Sequence, residues 1–195
     1  MKTGNIAYGV LFLFVIFAAG SLAGDFMKSW PPGRQEILEY EIATFMPQET
    51  KNPLTVKISR PEKEDSLFVI EQTMEIPRQE LKIFSSEKYG GQPLQLISSQ
   101  NVFHIPEKGQ TELNVDSVVV NAVPKDDSLS ITSNSYIAAS GNFTFYPDLV
   151  TTVGSLFMTR TGKFEIGQTN SYHYINLLQL GREAVSYTHL TLPTN

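Results

Sequence analysis

The stretch Ser66–Ile76, "SLFVIEQTMEI", decides how this chain is built. Phe68, Ile70, Met74 and Ile76 fall on one side of a period of two, with Glu71, Thr73 and Glu75 on the other. Successive side chains of an extended strand point to opposite faces, so such a segment buries one face and wets the other. The same alternation runs upstream. In "EILEYEIATF" (36–45), Leu38, Tyr40 and Ile42 oppose Glu39 and Glu41; in "NPLTVKISR" (52–60), Leu54, Val56 and Ile58 oppose Thr55 and Lys57.

Further strands are expected in "ELKIFSS" (80–86), "QPLQLISS" (92–99), "VFHI" (102–105), "TELNVDSVVV" (111–120), "SLSITS" (128–133) and "YIAASGNFTF" (136–145). Gly90-Gly91, Glu107-Lys108-Gly109 and Lys125-Asp126-Asp127 supply turn chemistry between them. Many short alternating strands joined by tight turns predict a mainly β protein. The expected form is a curved antiparallel sheet, a half-barrel or open barrel.

The period changes once. In "YPDLVTTVGSLFMTRTG" (146–162), Leu149, Val150, Val153, Leu156 and Phe157 recur at helical spacing, predicting one late helix near 148–160. Asp148 suits its N-cap or first turn, Arg160 its last turn and Gly162 its termination. "KFEIG" (163–167) and "SYHYINLLQLGRE" (171–183) return to strand patterning.

The N-terminus carries an address. "MKTGNIAYGVLFLFVIFAAGSLAGD" has one Lys, an apolar run from Ile6 to Ala19, then small residues, the order of a secretory signal. Ser21 and Ala23 fit the two positions that a signal peptidase checks. The apolar run is marginal for a hydrocarbon core of about 30 Å, which leaves an uncleaved anchor as the alternative. Residues 1–24 are therefore expected to be a signal peptide or N-terminal anchor, directing an exported, periplasmic or extracytoplasmic protein. "LAGD" also resembles the lipoprotein box, with Asp25 where the lipidated cysteine would stand. A carboxylate cannot form the thioether. Residues 25–35, with "SWPPGRQE", are expected to be a stiff linker, with Trp30 packed over the sheet end.

The tail has a different origin. Val185–Thr194 can be reverse-translated into a string that resembles a transposon-end sequencing adapter, and Ala184 and Asn195 fit its flanking bases. Residues 184–195 are accordingly expected to be adapter-derived, with the natural domain at 36–183 cut short. An unpaired strand edge is then expected near Leu177–Gly181, with "VSYTHLTL" able to lie along it as a surrogate strand.

Composition narrows the function. Lys and Arg number 15 against 20 Asp and Glu, a net charge of −5, which leaves no clustered positive charge for nucleic acid. With no cysteine, disulfides, thiolate metal sites and cysteine nucleophiles are excluded. His104 and His173 alternate with apolar or aromatic neighbours and lack metal-ligand spacing, and no serine sits in a nucleophile elbow. "KEDSL" (63–67) and "KDDSL" (125–129) lack the alternate acids of a calcium loop and read as two hairpin turns built alike. No catalytic residue, metal ligand or cofactor is expected, and the chain is read as a non-enzyme.

Aromatic density remains. Phe143 and Phe145 share one face of their strand, Tyr172 and Tyr174 share one face of theirs, and Phe157 lies on the helix between. These five are the candidate ligand-binding residues, for a lipid-like or apolar guest, with core packing as the competing use.

The segments "FYPDLVTTVGSLFMTRTGKFEIG" (145–167) and "LQLGRE" (178–183), behind an export signal and alternating strands, resemble exported half-barrel β proteins. These include the periplasmic lipoprotein carriers and a related uncharacterised family of envelope β proteins. The resemblance implies an envelope protein that binds an apolar ligand in a curved sheet. A structural or protein-docking envelope module is the alternative.

Overall fold

A computed structural model describes residues 30–44, 50–63, 67–91, 95–107, 109–110, 114–138, 140–155, 169–177 and 188–193. The first eight strands are β1 (Gln35–Thr44), β2 (Thr50–Ser59), β3 (Phe68–Ile76), β4 (Leu81–Gly90), β5 (Gln95–His104), β6 (Ser117–Lys125), β7 (Ser128–Ser133) and β8 (Gly141–Thr144). Each pairs antiparallel with the next, giving one open, curved meander with β1 and β8 as its edges. A second sheet follows the order β11-β10-β9, from β9 (Leu149–Thr151), β10 (Thr169–Ile175) and β11 (Thr188–Pro193).

The dry face is the one that the alternation marked. Leu54, Val56, Ile58, Phe68, Ile70 and Met74 are all buried, and Leu38 and Tyr40 pack against them half-buried. Register across the strands sets these residues side by side, with Leu38 opposite Val56 and Ile58 opposite Ile70. The wet face carries cross-strand ion pairs: Lys51–Glu41 at 3.0 Å, Lys57–Glu71 at 2.8 Å and Lys82–Glu75 at 3.0 Å. Opposite charges across neighbouring strands favour this register over a slip that would bring like charges together.

Two turns show how the chain holds its edges. Residues 126 and 127 form the two-residue loop between β6 and β7, with Asp126 at φ +52°, a backbone state that Asp tolerates better than most residues. This is the "KDDSL" turn expected from sequence; residues 64–66 of its counterpart lie outside the described residues. The 25–35 linker differs from expectation where it is described. Pro32-Gly33 makes a tight turn, with Arg34 N–H donating to Pro31 O at 3.1 Å and Gly33 at φ +80°. Proline followed by a residue able to take positive φ favours such a turn over an extended spacer. Gly33 N–H then donates to Arg60 O at 2.8 Å, tying the turn to the end of β2. Trp30 is fully buried there, beneath the Arg34 guanidinium at 4.5 Å from its ring, with its carbonyl accepting from Arg60.

Other boundaries shift. β6 begins at Ser117, because the chain ahead of it turns where Gly109 and Gln110 donate to Pro106 O. β8 keeps only Gly141–Thr144 of the longer run expected. The late helix begins at residue 152, and Leu149–Thr151 ahead of it is a strand, parallel to β10. Residues 156–168, which hold the rest of the expected helix and "KFEIG", lie outside the described residues. β11, within the adapter-like tail, pairs with Thr169–Tyr174 rather than with Leu177–Gly181, of which only Leu177 is described.

Replacing fully buried Ile70 with Ala should cost about 2–5 kcal/mol in chemical denaturation, the usual penalty for a core cavity. Glu75→Ala, which breaks an exposed ion pair, should cost less than about 1 kcal/mol in the same assay.

Candidate functional site: a buried acid beneath a capped helix

Strand β4 carries the feature that alternation alone left unremarked. Continuing inward from Ile83, its side chains are Ser85, Glu87 and Tyr89, all buried. β5 meets them through a bulge. Lys88 faces Ser98 but Tyr89 faces Leu96, so Ile97 stands unmatched and exposed. An extra residue reverses the face of everything beyond it. Leu96 and Ser99 therefore both point inward, and Ser99 comes opposite Glu87, with Asn101 opposite Ser85.

Glu87 is 1% exposed and carries four hydrogen-bonding neighbours. Ser99 Oγ donates to Oε1 at 3.1 Å, Tyr89 Oη donates to Oε2 at 3.0 Å, and Thr151 Oγ1 donates to Oε2 at 2.5 Å. The fourth is the backbone N–H of Gly154. Thr151 also accepts from that N–H through Oγ1 at 2.8 Å, and its hydroxyl lies 3.2 Å from Tyr89 Oη. Thr151 is thus the N-cap of the helix beginning at 152, satisfying an amide otherwise left without a helical partner. Asp148, expected in that role, instead pairs with His173 Nδ1 at 2.7 Å. The cap moves because residues 149–151 are extended along β10, which carries Asp148 off the helix end.

The fit at Gly154 is close. A Cβ there would stand 1.8 Å from Tyr89 Oη and 2.6 Å from Cζ. Only a residue without a side chain lets the helix start approach the acid.

Burial pushes the Glu87 carboxyl up from its ordinary 4.5 to about 7; the bonds from Thr151, Tyr89, Ser99 and Gly154 pull the other way without matching it. No cation is among these causes. Burial also raises Tyr89 well above its ordinary value, reinforced by the adjacent Glu87 charge. Tyr174 is raised by burial as well, against a hydrogen bond with Thr152 at 2.6 Å.

Because Glu87 is raised in the fold, its neutral form is the stabilising one. That contribution is complete below about pH 4.5 and declines as the unfolded chain ionises. It is gone above about pH 7, a change of about 3 kcal/mol from the two pKa values.

Beside the acid lies a second polar row, Gln72–Ser85–Asn101, in register across β3, β4 and β5. Asn101 Nδ2 donates to Ser99 Oγ at 3.2 Å, while Asn101 Oδ1 and Ser85 Oγ have no hydrogen-bond partner among the described residues.

Three of the five aromatic candidates have described side chains. Phe143 sits opposite Leu129, and both Phe143 and Phe145 are half-buried against the core at the β8 end of the large sheet. Tyr174 belongs to β10 and hydrogen-bonds beside the helix start. Tyr172 is described only as backbone, and Phe157 lies outside the described residues. One aromatic link spans the gap: Tyr146 stacks flat on His173, with centroids 3.7 Å apart. His173, which lies in β10, has Asp148 as its partner. Among the described residues, no group of three or more His, Asp or Glu gathers to hold a metal.

Comparison of the chain with family models, curated proteins and solved structures returns no match.

Gly154→Ala should destabilise the fold by more than an ordinary surface substitution. In a double-mutant cycle on thermal unfolding, Tyr89→Phe should rescue it only partly, since the ring Cζ remains 2.6 Å from the new methyl.

Proposed function

We propose that this chain is an exported envelope protein that binds an apolar, lipid-like ligand on the concave side of its curved sheet, and that it is not an enzyme. The observation that carries the proposal is the pair of oxygens without a partner among the described residues, Ser85 Oγ and Asn101 Oδ1, side by side on the inward face of the sheet. Leaving a buried polar group unpaired costs about 1–3 kcal/mol, whereas apolar side chains would fill those positions without it. A ligand with an apolar body and one hydroxyl or amide would engage both oxygens while its chain lay along Ile83, Phe103 and Val120, buried on the same face. Apolar sites with a few convergent polar groups are the usual form of small-molecule recognition. The apolar leader supports export to a compartment where such ligands occur.

A second reading is a structural or partner-docking envelope module. It is favoured by Ile37, Ile97 and Val123, large apolar side chains left exposed on the wet face, and by the free edge of β1.

Mass spectrometry of organic extracts from the full-length protein, purified from an exporting host, should find a co-purifying lipid at near-stoichiometric amount. Ser85→Val/Asn101→Leu should abolish that co-purification. A wild-type protein that is repeatedly lipid-free, yet crosslinks through the Ile97–Val123 face to one envelope protein, would replace the first reading with the second.

A further inference from the structure

The contacts at Glu87 join parts of the chain that are far apart in sequence: Thr151 is 64 residues from Glu87 and 62 from Tyr89. On one side lies the large sheet, represented by β4 and β5. On the other lies the 149–155 segment, whose Leu149 and Val153 enter the core and whose only described polar bonds to the sheet converge on Glu87 and Tyr89. We propose that this cluster is a proton-operated latch, which fastens residues 149–155 onto the concave face and releases them when Glu87 is ionised.

The chemistry gives the direction. With a proton on Glu87, carboxyl and hydroxyls share hydrogen bonds inside a dry site with no net charge. Without it, a negative charge is held by Ser99, Tyr89, Thr151 and one backbone amide, and among the described residues no Lys, Arg or His supplies a counter-charge. Opening the segment lets water reach the carboxylate, so the charged form favours the open state. Among the described residues, the titratable groups facing Glu87 are Tyr89 from its own strand and Tyr174 from β10; both are raised, so they remain neutral through the same range. β3 presents Ile70 opposite Glu87, and β5 presents Ser99, neither of which titrates. At the outer end of the segment, the Asp148–His173 pair is a separate contact, intact in any Glu87 variant.

The device goes beyond the ligand reading and does not need a ligand to operate.

Hydrogen exchange on the unliganded full chain, corrected for intrinsic pH dependence, tests the latch. Protection of the 149–155 amides should fall up to about 300-fold between pH 4.5 and pH 8, one factor of ten per pH unit over the range in which only the closed state holds the proton. Amides of β3 and β4 should keep their protection. Glu87→Gln, neutral at every pH, should flatten the 149–155 profile. Thr151→Val, which retains the acid but removes its side-chain link to the segment and leaves only the Gly154 amide, should lower 149–155 protection at both pH values. The latch is overturned by a pH-independent wild-type profile, by an unchanged slope in Glu87→Gln, by unaltered protection in Thr151→Val, or by β3 and β4 losing protection in parallel.

Discussion

An open sheet with one apolar face has to cover that face with the rest of its own chain. Everything described follows from this constraint. Eight antiparallel strands place Leu54, Val56, Ile58, Phe68, Ile70, Met74, Ile83, Phe103, Val118 and Val120 on a single side, too large a surface to leave in water. Curvature gathers those side chains, Trp30 closes one part of the margin, and the 149–155 segment supplies Leu149 and Val153 to the same core. The wet face needs less. Three cross-strand ion pairs sit there in solvent, where each contributes little to stability and more to the choice of register.

A polar patch inside that covered face is costly, and its placement is not incidental to the fold. Glu87 lies where the covering segment begins its helix, so one threonine both caps the helix and donates to the acid. Gly154 allows the approach by having nothing to collide with Tyr89. The β5 bulge brings Ser99 across from the acid. Three local departures from regularity converge on one carboxyl: a bulge, a cap and a glycine. Bulges are frequent next to functional sites because they re-aim a side chain without ending the strand.

The positions of Phe143, Phe145 and Tyr174 bear on how the concave face is understood. Phe143 and Phe145 pack at the β8 end and Tyr174 hydrogen-bonds to Thr152, so those three contribute to packing and to the hold on the helix start. The polar rows, Gln72–Ser85–Asn101 and Glu87–Ser99, are where the interior departs from what packing alone would select. Reactivity and recognition concentrate where a buried group has an unmet demand, either for a partner or for a proton.

The sequence by itself determined the class of fold and the faces of its strands, because a period of two is written in consecutive residues. Leu38, Val56 and Ile70 pointed inward on that ground alone, and Trp30 was placed over a sheet end. Turn chemistry located the Asp126 hairpin for the same local reason. The acid site was only half legible: "KIFSSEKYG" puts Ser85 and Glu87 in phase with Ile83 and Tyr89, a visible interruption of a dry face. What surrounds Glu87 was not, since Thr151 and Gly154 lie more than sixty residues away and no spacing rule connects them. The bulge at Ile97 was equally hidden, because a shift of register is a property of two strands together. The helix start likewise moved from Asp148 to Thr151 once β10 claimed residues 149–151 as a partner strand. Periodicity reports which side of an element is oily; only packing decides which distant element meets it, and with what charge.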